Sequence, residues 1–216
     1  EQRSGAVSLG RDVPVSGSDA DRQQRRVVAL LALSRVSAAV SGLRDLDAIL
    51  DVILGTVLVI MRGTIGGILL LDEETQTLSY QVYRGLSSEY VEGMHLRLGE
   101  GIAGRVAQTG RAVLVGDISN DPQAARRDLI STEGLKAFIS VPLRARDTVL
   151  GVLNVASVEP HSFSGDDMHL LHTIGDLIGI AIEQARLYDR LRKSRERYRQ
   201  LARQTLLAQE EERRRI

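Results

Sequence analysis

The C-terminal quarter of this 216-residue chain is the feature that most limits how it can fold, because it contains no proline and no glycine after Gly179. Ser164 and the aspartates that follow it can cap a helix, and helix-forming residues then continue to Ile216. A single helix of about 50 residues would measure roughly 75 Å, more than a domain of this size requires. No capping residue ends it, so we expect the helix to continue beyond Ile216 in a longer protein.

Apolar residues recur along this predicted helix at alternating spacings of 4 and 3, from Leu187 to Ala208. Such a heptad pattern is typical of a two-stranded coiled coil. A second narrow stripe lies in a predicted N-terminal helix over residues 20–43. Ser194 and Thr205 weaken the pattern, so a single solvated helix is the alternative. We predict a homodimer whose seam contains Leu33, Val36, Val40, Leu187, Leu191, Tyr198 and Leu201.

Composition excludes several classes of protein. The chain has no cysteine, which rules out disulfides, thiolate metal sites, iron–sulfur clusters and thioether-linked chromophores. Residues 186–216 carry 11 basic and 5 acidic side chains, a net +6 that the remaining residues balance with −6. These charges surround the predicted helix and mix both signs, which indicates a solvated helix and not a nucleic-acid surface. The longest apolar stretch, Leu46–Met61, carries two aspartates and is too short to span a bilayer, so we expect a cytoplasmic segment.

The order of predicted elements indicates an α+β fold. A flexible segment over residues 1–19 and the helix over 20–43 precede a second helix that starts near Asp45. The runs "TIGGILLLD" and "TLSYQVYRG" form a predicted hairpin, "RAVLVGD" is a third strand, and two long strands meet at an Arg146–Asp147 turn. We expect an antiparallel sheet, with the flanking helices on one face and two inserted segments on the other.

Several sequence motifs, which occur in this order along the chain, resemble those of a GAF domain. They include "LRLGEGIAGRVAQTGRAVLVGDISNDP", "GLKAFISVPL", "VLGVLNVAS" and "FSGDDMHLLHTIGDLIGIAIEQARLY". The resemblance covers residues 44–188 and leaves 189–216 as a coiled-coil linker. It implies a five- to six-stranded antiparallel sheet with helices on one face, extended here by long terminal coiled-coil helices. It also implies a sensory module with a small-molecule pocket beneath the inserted segments.

The expected lining of that pocket follows from the resemblance. We place it between the sheet and the inserted segments, with an unknown ligand. The expected lining residues are Ile68, Tyr80, Val82, Leu98, Ile102, Val106, Val115, Ile118, Ile130, Ile139 and Asn154.

The tail word "AQEEERRRI" resembles the entry to the dimerisation helix of a sensor histidine kinase. This resemblance implies a kinase domain later in the same polypeptide and a response regulator as its partner. The chain itself is then a regulatory segment and not an enzyme. Two alternatives stay open: a constitutive dimerisation module without a ligand, and a cyclic-nucleotide-responsive domain of a cyclase or phosphodiesterase.

Two motifs have ordinary structural explanations. Gly99, Gly101 and Gly104 reproduce the G-x-G-x-x-G spacing of dinucleotide sites, but no βαβ unit surrounds them. We therefore interpret them as turn and packing glycines. His169 and His172 lie one helical turn apart, yet no third ligand is evident, so we predict no metal site.

Neither haem nor a cyclic nucleotide is favoured as a cofactor. No histidine stands in a haem-binding motif, and aromatic residues make up only 3% of the chain. GAF domains that bind cyclic nucleotides carry an Asn-Lys, Phe, Asp-Glu signature. Asn154, Phe163 and Asp167 match it, while Val155 and Met168 replace the lysine and the glutamate.

Overall fold

The computed structural model describes residues 46–61, 63, 65–160 and 162–214, with only the backbone described at 201, 202 and 204–214. The predicted flexible segment 1–19 and the predicted helix 20–43 lie outside the described residues. The same holds for three of the predicted seam residues, namely Leu33, Val36 and Val40. The described residues comprise a domain that begins at Leu46 and the long helix that leaves it.

A six-stranded antiparallel sheet forms the centre of the domain, with strand order β3-β2-β1-β6-β5-β4. This confirms the predicted α+β class and antiparallel sheet. The shortest of the six strands is the two-residue element Leu96–Arg97. The strands are β1 (Ile65–Asp72), β2 (Thr77–Arg84), β3 (Leu96–Arg97), β4 (Val113–Val115), β5 (Ala137–Ala145) and β6 (Thr148–Ser157).

Helices cover both faces of the sheet. The long helices α1 (Leu46–Ile60) and α5 (Gly165–Arg214) pack on one face. The inserted segments cover the other with α2 (Ser88–Gly93), α3 (Gly101–Thr109), α4 (Arg127–Thr132) and a 3-10 turn, Ile118–Asn120. None of the described helices is long and apolar enough to cross a bilayer.

The sheet therefore separates two hydrophobic cores. The helix-side core lies against α1 and α5 and includes Leu54, Ile68, Val141, Leu153 and Ile178. The insert-side core lies against α2, α3 and α4 and includes Leu69, Leu78, Val106, Phe138 and Val152. Because both faces of the central strands are buried, β1 is almost continuously apolar and shows no alternation in sequence.

A β-bulge in the first hairpin changes which face β2 presents. Ile68 pairs with Val82, but its neighbour Leu69 pairs with Tyr80, so Gln81 is left without a partner in the register. The bulge places Tyr80 with the insert-side core and Val82 with the helix-side core. In a regular strand these two residues would lie on the same face.

Two glycines bring α5 directly onto the backbone of β5. A Cβ atom added to Gly175 would lie 2.7 Å from the Pro142 carbonyl oxygen, and one added to Gly179 would lie 2.1 Å from that of Arg144. This contact lies beyond the end of β4, which pairs with β5 only as far as Ser140. Pro142 thus sits where no described strand borders β5 on that side, a position that suits its missing N–H.

Candidate functional site

A small cavity opens on the insert-side face of the sheet. About 310 Å³ of space in and around it is free of protein atoms, part of which is open solvent at its mouth. The sheet forms its floor, α3 one wall, and α2, α4 and the loop before α4 its cover. The lining residues are Tyr80, Tyr90, Met94, Leu96, Ile102, Ala103, Ile118, Ala124, Ala125, Ile130, Phe138 and Asn154.

Three polar side chains meet inside this otherwise apolar cavity. The amide of Asn154 and the hydroxyl of Tyr90 both interact with the hydroxyl of Tyr80. The rings of Tyr80 and Tyr90 lie 6.2 Å apart, inclined at 57°. Burial raises the pKa of Tyr80 to about 12, although the contacts with Asn154 and Tyr90 oppose that shift. Burial also raises the pKa of Tyr90, so both phenols stay protonated at neutral pH.

The position of Tyr80 depends on a glycine beneath its ring. A Cβ atom added to Gly67 would lie 2.4 Å from a ring carbon of Tyr80. Gly67 also pairs with Asn154 in the register of β1 and β6. The missing side chain therefore lets the Tyr80 ring lie against the sheet beside Asn154.

Two buried oxygen atoms, one at the floor and one beside it, have no hydrogen-bond partner among the described residues. They are Asn154 Oδ1 and Ser140 Oγ. Asn154 is 5% exposed and Ser140 is fully buried, and the two residues face each other across β6 and β5. Buried polar groups are almost always paired in folded proteins, so two unpaired acceptors side by side mark this point of the sheet as unusual.

Hydrogen bonds hold the helices of the cover together. Ser87 caps α2, with its Oγ accepting from the Tyr90 N–H at 3.1 Å. The carboxylate of Glu133, at the end of α4, accepts hydrogen bonds from the backbone N–H and the hydroxyl of Ser87. At the other end of α2, Arg126 Nη1 donates to the Gly93 carbonyl at 2.7 Å. Because these groups are exposed, water can replace these hydrogen bonds when α2 separates from α4.

No charged side chain among the described residues lines the cavity. Charges of both signs lie just outside the wall: Glu133 adds to the raised pKa values of Tyr80 and Tyr90 through its negative charge, and Arg126 follows the lining residue Ala125 and bonds the Gly93 carbonyl. The described lining itself therefore holds no group that pairs with a charged ligand.

The structure brings five of the eleven predicted lining residues to the cavity: Tyr80, Ile102, Ile118, Ile130 and Asn154. Leu98, Val106 and Val115 belong to the insert-side core but lie outside the cavity wall.

The predicted lining was wrong for three residues, namely Ile68, Val82 and Ile139. All three lie on the other face of the sheet, in the helix-side core. Ile68 and Ile139 come from strands buried on both faces, where sequence alternation does not distinguish the faces. Val82 was placed wrongly because the bulge at Gln81 reverses the face of β2.

Sequence reasoning missed seven lining residues. Tyr90 and Met94 come from α2, a short helix that the sequence pattern did not lead us to predict, and Ala124 and Ala125 come from a loop. The word "SSEYVEG", with a serine before an acidic first turn, is a helix-start signal that could have located Tyr90. The others are Leu96, Ala103 and Phe138.

Other predicted motifs have structural roles. Gly99 and Gly101 adopt φ values of +84° and +63°, and a Cβ atom added to Gly104 would lie 2.4 Å from the Arg97 carbonyl oxygen. The described residues contain no group of three or more histidine and acidic side chains that could hold a metal ion. Of the positions matching the cyclic-nucleotide signature, only Asn154 lines the cavity; Phe163 packs on the helix-side core and Asp167 bonds Ser164 at the start of α5.

Exposed apolar side chains on α5 follow the predicted heptad. Leu187 is 52% and Leu191 is 51% exposed, and Ile180 and Tyr198 are exposed on the same seam. Among the large exposed apolar residues described on α5, only Tyr188 does not occupy a position of the heptad seam. On α1, the exposed Val52 and Val59 are also seven residues apart. The side chain of Leu201, a predicted seam residue, lies outside the described part of the chain.

Alkaline pH should reveal the burial of Tyr80. Its pKa is about 12 in the folded protein against an ordinary value of 10.0, so folding favours the protonated form. The associated stability is present below pH 10 and is lost as pH rises toward 12. We expect the wild type to lose about 1 kcal/mol more free energy of unfolding between pH 10 and 11 than Tyr80→Phe, by urea titration. Tyr83→Phe, at a tyrosine of the same strand that is 40% exposed, should follow the wild type; equal losses in all three proteins would contradict the assignment.

Comparison with known proteins agrees with this architecture. The sequence profile of the GAF domain family matches residues 44–183. Among curated relatives, a methyl sulfide methyltransferase-associated sensor of Methanosarcina acetivorans is 30% identical over 83% of this chain and 19% of its own length. A Nif-specific regulatory protein of Azospirillum lipoferum is 28% identical over 73% and 26% of the respective chains. The sensor histidine kinase YhcY of Bacillus subtilis is 27% identical over 78% and 46%.

Solved structures show the same fold. The GAF domain of a phosphoenolpyruvate-protein phosphotransferase from Coxiella burnetii superposes with a TM-score of 0.66 at 20% identity, covering 76% of this chain and 97% of that one. The corresponding Acinetobacter domain gives 0.62 at 27% identity, covering 75% and 97%. The chain spans less than half the length of the three curated relatives described. This chain belongs to the GAF domain family and contains a sensory, regulatory domain of that family.

Proposed function

We propose that this chain is the sensory region of a cytoplasmic sensor histidine kinase that works as a homodimer. The observation that carries the proposal is the exposed heptad seam on a helix that leaves the domain. A helix that is apolar along one line and charged elsewhere gains stability by pairing with a second copy. The similarity to YhcY and the tail word "AQEEERRRI" favour a histidine kinase over other classes of GAF protein.

The sheet provides a route from the cavity to the paired helices. Phe138 lines the cavity on one face of β5, while the next residue, Ile139, belongs to the helix-side core. Further along β5, the carbonyl of Arg144 lies against Gly179 of α5. A ligand that changes the position of β5 would therefore change the position of α5, because this contact leaves no free space.

In this proposal, the two copies of α5 carry the change to a kinase domain that lies beyond Ile216. The seam is weak, since the polar residues Ser194 and Thr205 occupy two of its positions. A weakly packed coiled coil can adopt two arrangements of similar free energy, as a signalling element requires. The kinase would then donate its phosphoryl group to a response regulator.

The full-length protein tests this proposal directly. Incubated with radiolabelled ATP, it should become labelled on histidine, with a phosphoryl bond that survives alkali and is lost in acid. Substitution of the phosphoaccepting histidine in the kinase domain should abolish the label, while heat-denatured protein serves as the background control. A full-length protein that takes up no label, or only acid-stable label, would overturn the histidine-kinase proposal and favour another class of GAF regulator.

A further inference from the structure

The unpaired oxygen of Asn154 points to the kind of molecule that the cavity binds. We infer that the cavity takes a small uncharged ligand whose N–H or O–H group donates a hydrogen bond to Asn154 Oδ1. The inference rests on the proposed sensory function, because it assumes that the cavity is the site where the domain meets its signal.

The Asn154 amide lies close to the Tyr80 hydroxyl and lowers the pKa of that phenol, as a hydrogen-bond donor does. Its Oδ1 atom accepts no hydrogen bond from the described residues. A buried acceptor without a donor is costly, and a ligand donor would remove that cost.

Ser140 pairs with Asn154 across β5 and β6 but does not line the cavity. Its hydroxyl is fully buried and is also without a partner among the described residues. The Asn154 amide and the hydroxyls of Tyr80 and Tyr90 are therefore the polar groups of the described lining, and the other lining residues are apolar. We expect a ligand with one polar edge at Asn154 and with the rest of its surface apolar.

The walls of the cavity disfavour a charged ligand. They are formed by aliphatic and aromatic side chains such as Ile102, Ile130 and Phe138. No described lining residue carries a charge, and Arg126 in the cover already bonds the Gly93 carbonyl and the Asp128 carboxylate. A cation would find no carboxylate among the described residues of the wall. Transfer of either ion from water into this cavity would lose hydration without compensation.

The cover and the volume of the cavity limit how a ligand enters and how large it can be. The cavity lies beneath α2 and α4, whose mutual contacts through Ser87, Glu133 and Arg126 are exposed. A ligand can therefore enter when these two helices separate, and the same contacts can form again above it. The enclosed part of the cavity is small, so a small molecule suits it better than a nucleotide.

Phenol and toluene test the inference as a matched pair. The two molecules have the same shape, and only phenol carries a donor, while benzoate adds a negative charge. In ¹H–¹⁵N NMR titrations of this chain, we expect phenol to bind at least tenfold more tightly than toluene, with shifts at the amides of Ser140 and Asn154. Benzoate should not produce those shifts. Equal affinity for phenol and toluene, or tighter binding of benzoate, would overturn the inference.

Substitution of Asn154 separates the hydrogen bond from general burial. Asn154→Leu should reduce the phenol-to-toluene affinity ratio to about 1, because the acceptor is gone while the apolar volume is kept. Asn120→Leu, at an exposed asparagine outside the cavity wall, should keep the wild-type ratio. If Asn154→Leu does not fold, the phenol-to-toluene affinity ratio of the wild type still tests the inference.

The two proposals fail separately. A selective phenol site in a protein that makes no phosphohistidine would refute the kinase proposal and keep this inference. Phosphohistidine without phenol selectivity would refute this inference and keep the kinase proposal.

Discussion

Gly179→Ala should destabilise the domain by at least about 3 kcal/mol, which corresponds to a fall in melting temperature of roughly 6–12 °C. The added Cβ atom would lie 2.1 Å from the carbonyl oxygen of Arg144, well inside the van der Waals contact distance. The clash is with backbone on both sides, so no side-chain rotation can relieve it. The helix must move away from β5 and open the helix-side core.

The other glycines of α5 give a graded control series. Gly175→Ala should cost less than Gly179→Ala, because its Cβ atom would lie 2.7 Å from the Pro142 oxygen. Gly165→Ala adds the same methyl group to the same helix, where no atom lies within 4 Å. It should be neutral or slightly stabilising, since alanine favours helix. Thermal and urea unfolding of the three variants give the order; a Gly179→Ala protein as stable as Gly165→Ala would contradict the close contact.

Replacement of Leu187 and Leu191 by glutamate should convert a dimer of this chain into a monomer. In the proposed coiled coil both leucines face their counterparts, and each contributes about 2 kcal/mol of apolar burial. The double variant removes that burial and places four carboxylates along one seam. Both side chains are about half exposed in the single protomer, so the fold of the domain should be unaffected.

Tyr188 provides the matched control for the seam. It is 71% exposed, lies next to Leu187 and is off the heptad line. Tyr188→Glu adds a charge to the same turn of α5 and should leave the dimer intact. Light scattering coupled to size-exclusion chromatography at micromolar concentration measures the mass directly. A monomeric wild type, or a Tyr188→Glu variant that dissociates as fully as the double variant, would refute the proposed seam.

The fold was predictable because its strands and helices are long and strongly patterned. Helix α1 places Leu50, Ile53, Leu54 and Val57 on one face, and the long β5–β6 pair carries its turn at Arg146. The short elements were not predictable in the same way. Strand β3 has two residues and α2 has six, so neither is long enough to show a period.

The cavity was only partly predictable, for a different physical reason. A one-residue error in the predicted register of a strand assigns each of its side chains to the wrong face of the sheet. Strands β1 and β5 are apolar on both faces, so their sequences do not correct such an error. The sequence around Ile68 and Leu69 offers no signal that separates the two faces, and the bulge at Gln81 depends on pairing between strands. The unpaired state of Asn154 is likewise a property of its surroundings and not of its position in the chain.

The position of Gly179 along α5 also determines how far each end of the helix moves when the helix tilts. From this glycine to Arg214 the helix extends about 50 Å. If α5 turns about its contact with β5 as a rigid rod, a tilt of about 5° moves its far end by about 4 Å, most of one helical turn. The arm inside the domain, about 21 Å from Gly179 to Gly165, would then move by about 2 Å or less at its end. The helix would act as a lever with Gly179 as its fulcrum, so a small movement at the sheet would become a displacement large enough to change how two helices pack.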